Sequence, residues 1–187
     1  LDHLEIASAV IVGFSIGGMI NRRFAMDYPG RAAALVILNS PHDRGPQAQE
    51  QVEARAAAVR DEGRMATMDA ALDRWFTPDF RQDTPSVMRL VREWRKIVDP
   101  ESYAAAAVVL ANGVRELVRP QPPISCLTLV VTCENDTGST PSMSRAIGSE
   151  IDGAKVQIIS RLQHLGLIED PAAFTVPILA FCERTKT

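Results

Sequence analysis

A serine stands between two glycines in the segment Gly13-Phe14-Ser15-Ile16-Gly17, which fits the pattern G-x-S-x-G. A β-branched run precedes it and a helix-length stretch follows, which predicts a tight strand-to-helix turn that presents the Ser15 hydroxyl as a nucleophile. Both glycines would let neighbouring backbone approach without Cβ clashes. The N–H of Ile16, at the predicted helix N-terminus, would face the oxygen that gains negative charge. The alternative is an ordinary turn in which Ser15 only caps the helix.

A nucleophilic serine needs a base, and the sequence contains three histidines, His3, His42 and His164. His3 precedes the first predicted strand. His42 and His164 each follow a predicted strand, and parallel α/β proteins place their sites at that edge of the sheet. His164 is preferred, because nucleophile, acid and base follow one another in this order along chains with such a serine turn. A structural loop histidine is the alternative for His164, and His42 is expected to line the pocket or lie at the surface.

The acid that orients the base should also follow a strand. Asp136 lies in the segment Glu134-Asn135-Asp136-Thr137-Gly138 after an apolar run, far enough along to turn back towards His164. Glu134 and Asp43 are the competing acids. A solvent-exposed turn is another interpretation of Asp136, since N-D-T-G is favourable turn chemistry. The sequence therefore predicts Ser15 as nucleophile, Asp136 as acid and His164 as base.

Short apolar runs and helix-length stretches alternate around these residues. Strands are predicted over 7–13, 34–38, 127–131 and 155–160. Helices are predicted over 16–28, and from Thr-Pro and Asp-Pro start signals over 141–151 and 171–183. Continuous apolar runs fit strands covered on both faces, and the alternating last run fits a strand nearer an edge. The order predicts an α/β fold, a doubly wound and mostly parallel sheet.

Residues 43–123 interrupt this alternation with a segment rich in Ala, Arg, Glu and Gln, so that the sheet domain would comprise residues 1–42 and 124–187. Helices are predicted near 47–62, 65–75, 85–98 and 100–112. We expect a helical lid over a substrate pocket, with a helical domain of no catalytic role as the alternative. Phe14 and Trp75 are predicted to contact substrate. The apolar residues Met65, Met68, Trp75 and Phe76 favour an apolar substrate or simply form the core of the lid.

Composition excludes several classes of partner and cofactor. The formal net charge is -3 and no basic block is present, which gives no support for nucleic acid or an anionic membrane as a partner. No apolar run reaches the roughly 18 residues of a membrane span. The three cysteines lack metal-ligand spacing and suggest free thiols in a reducing cytoplasm. The glycines match no nucleotide-binding pattern, so no metal and no cofactor is expected.

Three segments in this order, G-F-S-I-G-G, V-V-T-C-E-N-D-T-G-S-T-P and Q-H-L-G-L-I-E-D-P, resemble the α/β-hydrolase superfamily. The phrases D-R-W-F-T-P-D-F and D-P-E-S-Y-A-A-A are similar to its 3-oxoadipate enol-lactonase-like branch. The resemblance implies a serine hydrolase of a small ester or lactone, with an acyl-enzyme on Ser15. Cys133, where the family often has Gly, and Phe14, where it commonly has His or Trp, depart from the pattern. Perhydrolysis or C–C bond hydrolysis on the same triad, or a non-enzymatic binding module, are the alternatives.

By the same resemblance, members of this family carry strands and an oxyanion loop before the nucleophile strand, and this chain has no counterpart of them. We therefore expect the strand over 7–13 to form an exposed apolar edge. An N-terminal portion or another chain is expected to complete the sheet. Native mass spectrometry that finds a cooperatively folded monomer of this mass would contradict the expectation.

Overall fold

The computed structural model describes residues 1–185. Within this range the strands form one parallel sheet in the order β1-β2-β3-β4. They are β1 (Ala9–Phe14), β2 (Ala32–Leu38), β3 (Leu127–Cys133) and β4 (Lys155–Ile159). The first strand starts later than predicted, because the carbonyl of Ala7 accepts a hydrogen bond from the Arg31 side chain instead of pairing in the sheet. It also extends to Phe14, which pairs with Leu38.

Helices connect the strands and form the insert between β2 and β3. They are α1 (Ile16–Asp27), α2 (Gly45–Glu62), α3 (Met68–Trp75), α4 (Pro78–Asp83), α5 (Pro85–Ile97), α6 (Pro100–Asn112), α7 (Pro141–Ser149), α8 (Gly166–Glu169) and α9 (Pro171–Arg184). Short 3₁₀ helices span Asp2–Leu4 and Gly113–Leu117. The short helices α4 and α8 were not predicted, and the helix predicted near 65–75 begins only at Met68.

Helices cover both faces of the sheet. Because β1, β2, β3 and β4 follow one another in a single direction, right-handed crossovers place α1 and α7 on the same face. Met19 and Met26 of α1 pack there against Leu35, Ile37 and Val130. Helix α9 covers the other face, where Phe174 and Phe181 contact the alternate residues of β2 and β3. This arrangement confirms the predicted doubly wound α/β fold.

Each of the two outer strands leaves an apolar side chain exposed, Val12 in β1 and Val156 in β4. β4 forms one edge, as its alternating pattern predicted. β1 forms the other, and Val12 in its centre is 52% exposed. That an N-terminal portion or another chain covers this edge stays a prediction.

The insert packs around two apolar clusters of its own. Met68, Leu72, Phe76 and Val91 form one, and Val52, Ala56 and Ala111 form the other. Met68 and Phe76 are almost completely buried in the first cluster, so both serve the core of the insert. Across the described residues, none of the helices combines the length and the apolar composition needed to cross a bilayer.

Candidate active site

The turn between β1 and α1 holds Ser15 in a backbone conformation that side chains rarely adopt. Ser15 occupies the N-cap position of α1 with φ 55° and ψ −115°, and its side chain makes no capping hydrogen bond. Its N–H donates to the carbonyl of Leu38 at 2.8 Å. A non-glycine residue in such a region carries strain of about 1–3 kcal/mol. The hydrogen bond to β2 and the start of α1 fix the turn from both sides, which holds the hydroxyl at the carboxyl edge of the sheet.

The glycines around Ser15 are not equivalent. A Cβ atom on Gly13 would lie 2.1 Å from the carbonyl oxygen of Gly17, and one on Gly18 would lie 2.5 Å from the Cβ of Ser40. A Cβ atom on Gly17 would meet nothing within 4 Å. The close approach expected from the sequence therefore needs glycine at positions 13 and 18, and not at position 17.

The carboxylate of Asp136 is buried behind the sheet edge and fully hydrogen-bonded. Its Oδ1 accepts from the backbone N–H groups of Gly138 and Ser139, both at 2.9 Å. Its Oδ2 accepts from Asn39 Nδ2 at 2.9 Å and lies 2.7 Å from His164 Nδ1. Burial opposes its ionisation, but the hydrogen bonds from His164, Asn39 and Ser139 outweigh burial and lower the pKa of Asp136 below its usual value.

An ionised carboxylate can only accept hydrogen bonds, which fixes the proton of the histidine. Nδ1 of His164 carries the proton towards Asp136, so that Nε2 keeps its lone pair. Nε2 lies 3.1 Å from Ser15 Oγ, within hydrogen-bond reach. The hydroxyl of Ser15 can therefore donate to Nε2, which is the geometry a general base needs to take up that proton.

The competing acids and histidines lie elsewhere. Glu134 is exposed and accepts from the backbone N–H of Arg161, and Asp43 is exposed and accepts from Gly45. His42 is buried with Nε2 3.1 Å from the Glu150 carboxylate, and His3 belongs to the exposed N-terminal 3₁₀ helix. The sequence did not predict Asn39, which follows β2 with φ 45° and donates to Asp136.

The loop that carries His164 is attached to the insert as well as to the sheet. The N–H of Leu165 donates to the Trp75 carbonyl at 2.8 Å, and the Glu169 carboxylate accepts from the backbone and the hydroxyl of Thr77 at 2.9 and 2.6 Å. These contacts hold the C-terminal end of α3 against the loop that carries His164.

The two residues predicted to contact substrate take different places. The Trp75 ring lies 6.5 Å from the imidazole of His164, and Trp75 lines the cavity in front of Ser15. The Phe14 ring packs 5.0 Å from the same imidazole, in the apolar cluster beneath the sheet. Phe14 is therefore placed to support the histidine ring and is not part of the cavity lining. Ile16, which does line the cavity, is the first residue of α1, so its N–H has no partner within the helix.

A cavity of about 260 Å³ lies between the sheet edge and the insert. Ser15 and His164 form its floor, and alanines and valines of α2 and α6 form part of its wall. Four arginines also line it, namely Arg44, Arg55, Arg74 and Arg95. Sequence reasoning did not find this cluster, because the four residues lie on separate elements or turns and converge only when the helices pack.

Metal ligation finds no support in the side chains of residues 1–185, where no three His, Cys, Asp or Glu residues are grouped for it. Cys126, Cys133 and Cys182 are unpaired thiols. Burial raises the pKa of Cys133 to about 12, so this thiol, although it lies next to the acid, stays protonated and is not a competing nucleophile.

Comparison with known proteins gives consistent matches. The model of the alpha/beta hydrolase family matches residues 1–176. 3-Oxoadipate enol-lactonase 2 of Acinetobacter baylyi is 30% identical over 98% of this chain and 67% of its own length. The enol-lactonase from Burkholderia xenovorans superposes with a TM-score of 0.84 at 30% identity, covering 97% of this chain and 68% of that one.

A thermophilic esterase from Thermogutta terrifontis superposes with a TM-score of 0.82 at 27% identity, over the whole of this chain and 69% of its own. The chain thus spans about two thirds of the length of these relatives. The predicted resemblance to the superfamily and its enol-lactonase-like branch is confirmed, and so is the prediction of a hydrolase. On this fold and these matches, the chain belongs to the alpha/beta hydrolase family.

Proposed function

We propose that this hydrolase cleaves a small ester or lactone through an acyl-enzyme on Ser15. The observation that carries the proposal is the continuous contact from Ser15 Oγ to His164 Nε2 at 3.1 Å and from His164 Nδ1 to Asp136 Oδ2 at 2.7 Å. Nucleophile, base and acid need this order of contacts. The similarity to enol-lactonases and to an esterase supports a carboxylic ester or lactone as the bond that is broken.

In the first half of the reaction Ser15 Oγ attacks the carbonyl carbon while His164 Nε2 takes the hydroxyl proton. Asp136 stabilises the imidazolium that forms, and the backbone N–H of Ile16 donates to the oxyanion. The bond to the leaving oxygen then breaks, and His164 returns its proton to that oxygen. A lactone opens without losing any atoms, whereas a linear ester releases an alcohol.

Water completes the second half. The oxygen of a water molecule attacks the acyl carbon while His164 Nε2 takes a proton from that water. When the ester bond between the acyl group and Ser15 breaks, His164 gives this proton to Ser15 Oγ and restores the hydroxyl. The products are a carboxylic acid and the unmodified protein. No redox step and no cofactor enter this balance.

We infer that the segment 43–123 acts as a lid, since its helices α2, α3 and α6 form the wall of the cavity opposite Ser15. In this role Trp75 contacts the substrate close to the histidine that moves the proton.

The first experiment is intact-protein mass spectrometry after treatment with a fluorophosphonate. We expect one adduct on the protein and on a control variant, Ser86→Ala, which changes an exposed serine of α5. We expect no adduct on Ser15→Ala. An adduct that persists in Ser15→Ala would contradict the assignment of the nucleophile. No adduct on any of the three proteins would favour a fold that binds without catalysis.

A further inference from the structure

The four arginines of the cavity form a row of neighbouring cations. Arg44 precedes α2, Arg55 lies on α2, Arg74 on α3 and Arg95 on α5. Repulsion between neighbours connects Arg44 with Arg55, Arg55 with Arg74, and Arg74 with Arg95. Helices α2, α3 and α5 and the connection before α2 therefore bring positive charge to the same cavity.

The cavity offers almost no negative charge in return. Among the described residues that line it, Asp136 carries the one carboxylate, and this group is already bonded to His164 and Asn39. Burial, followed by repulsion from Arg55, lowers the pKa of Arg44 to about 10, so this guanidinium is still a cation at neutral pH. The cavity lining thus carries four guanidinium groups and one carboxylate, and that carboxylate is already hydrogen-bonded.

Three of the arginines have partners that explain their positions. Arg95 donates to Thr67 Oγ1 at 2.7 Å and lies 4.7 Å from the centre of the Tyr103 ring. Arg44 donates to the Leu110 carbonyl at 2.9 Å, and Arg74 to the Ala70 carbonyl of its own helix at 2.8 Å. Each of these bonds uses part of the five donors that a guanidinium offers.

Arg55 differs from the other three. It is half-buried, and within residues 1–185 its side chain makes no hydrogen bond and no ion pair. It lies between Arg44 and Arg74 in the row, where like charge disfavours it. Partly removing a cation from water costs free energy unless an anion or hydrogen-bond acceptor compensates. This uncompensated cation lines the same cavity as Ser15, which is the pattern expected of a residue whose partner is the substrate.

We propose that the cavity binds a substrate with two carboxylate groups and that Arg55, with Arg74 beside it, is the residue that selects it. A monocarboxylate would pair with one arginine of the row, whereas a dicarboxylate would pair with two neighbouring arginines. Guanidinium groups bind carboxylates through paired hydrogen bonds, which suits discrimination between anions. The cavity of about 260 Å³ can hold a compound of the size of a small metabolite. This inference names the substrate class for the proposed ester or lactone hydrolysis and rests on that function.

The test measures binding of a dicarboxylate and a monocarboxylate of the same length, glutarate and pentanoate, at equal ionic strength. Thermal unfolding with each compound is followed for the protein, for Arg55→Gln, and for the control Arg60→Gln. Arg60 is five positions further along α2, is exposed and pairs with Asp61 outside the cavity.

We expect glutarate to bind about tenfold or more tightly than pentanoate, and Arg55→Gln to lose about that factor, as for one charge-assisted hydrogen bond. Without ligand, Arg55→Gln should be more stable than the starting protein, since a repelled and half-buried cation is gone. A purely structural arginine would not give these two opposite changes. Arg60→Gln should match the starting protein in both measurements.

Equal binding of the two acids, or equal loss of glutarate binding in Arg55→Gln and Arg60→Gln, would overturn the inference. Failure of the proposed function is recognised separately. If the unaltered protein binds glutarate in an Arg55-dependent manner but forms no fluorophosphonate adduct, the anion site stands and the hydrolytic function does not.

Discussion

The carboxyl edge of the sheet and the helical insert both bring charged side chains to one cavity, but they treat charge in opposite ways. At the sheet edge, the Asp136 carboxylate accepts two backbone hydrogen bonds and two from side chains. In the insert, Arg55 has no partner within the described residues, and its neighbours are cations. The first region satisfies its charge internally, whereas in the second we propose that the charge of Arg55 is satisfied by the substrate.

Under the proposed function, this difference separates the groups that react from the groups that recognise the substrate. A triad must hold its proton positions before substrate arrives, so its hydrogen bonds are complete in the protein alone. A selecting residue gains specificity when its best partner is the substrate, because an unpaired charge penalises every ligand that fails to match it. Substitutions at the sheet edge should therefore act mainly on kcat, and substitutions in the arginine row on binding.

The largest expected effect tests whether Asp136 is the acid. Asp136→Asn should lower kcat by about 10⁴, since an amide can present its NH₂ to Nδ1 and favour the wrong tautomer of His164. Hydrolysis of p-nitrophenyl acetate measures this. The matched control Glu134→Gln removes an exposed carboxylate that accepts only from the Arg161 backbone, and should retain activity within a few-fold. Loss of activity in the control, with activity kept in Asp136→Asn, would transfer the role to Glu134.

The next effect concerns how tightly the turn beneath Ser15 is packed. Gly13→Ala should destabilise the protein by about 3 kcal/mol, because the new Cβ atom would meet the Gly17 carbonyl 2.1 Å away. Gly17→Ala adds its Cβ to open space and should change stability by less than about 1 kcal/mol. Urea denaturation of both variants provides the comparison. Equal destabilisation would mean that the close approach at Gly13 is relieved by a small backbone shift.

A smaller effect is expected from the strained backbone of Ser15 itself. Ser15→Gly and Ser15→Ala both remove the hydroxyl, but only glycine adopts φ 55° and ψ −115° without steric cost. Ser15→Gly should therefore be about 1 kcal/mol more stable than Ser15→Ala in thermal unfolding. Identical stabilities of the two inactive variants would show that the turn stores no strain.

The smallest effect follows from the ionisation of Asp136. Its pKa is lower in the folded protein than in the unfolded chain, where a value of about 3.9 applies. The carboxylate thus contributes stability above the unfolded pKa, and this contribution is lost as the pH falls through the folded pKa. The difference in unfolding free energy between the protein and Asp136→Asn should narrow below about pH 4. A difference that is independent of pH would mean that the buried carboxylate is not ionised.

The sequence predicted the parts of this site that local pattern determines. Apolar runs located the four strands, and the strand-to-helix turn predicted at Ser15 lies between β1 and α1. Asp-Pro and Thr-Pro pairs located helix starts, where Asp99, Thr140 and Asp170 accept capping hydrogen bonds. Thr77-Pro78 carries the same signal, so α4 was within reach of the same reasoning.

The rest depends on packing between distant segments. Helix α8 has only four residues, too few for a periodic pattern, and the Glu169 contact with Thr77 helps to hold it. Asn39 reaches Asp136 because β2 and β3 are adjacent, which no spacing along the chain reveals. The arginine row likewise exists only after α2, α3 and α5 assemble. Candidate site residues that directly follow a strand were therefore easier to predict than residues that come together only when the helices pack.

The attachment of the His164 loop to the insert limits how such a protein can be recombined. The bonds from Leu165 to Trp75 and from Thr77 to Glu169 cross the boundary between the sheet domain and the insert. A chimaera that receives residues 43–123 from a relative would break them unless the new insert offers equivalent partners. A chimaera made to change the substrate range should therefore take both the insert and α8 from the same relative.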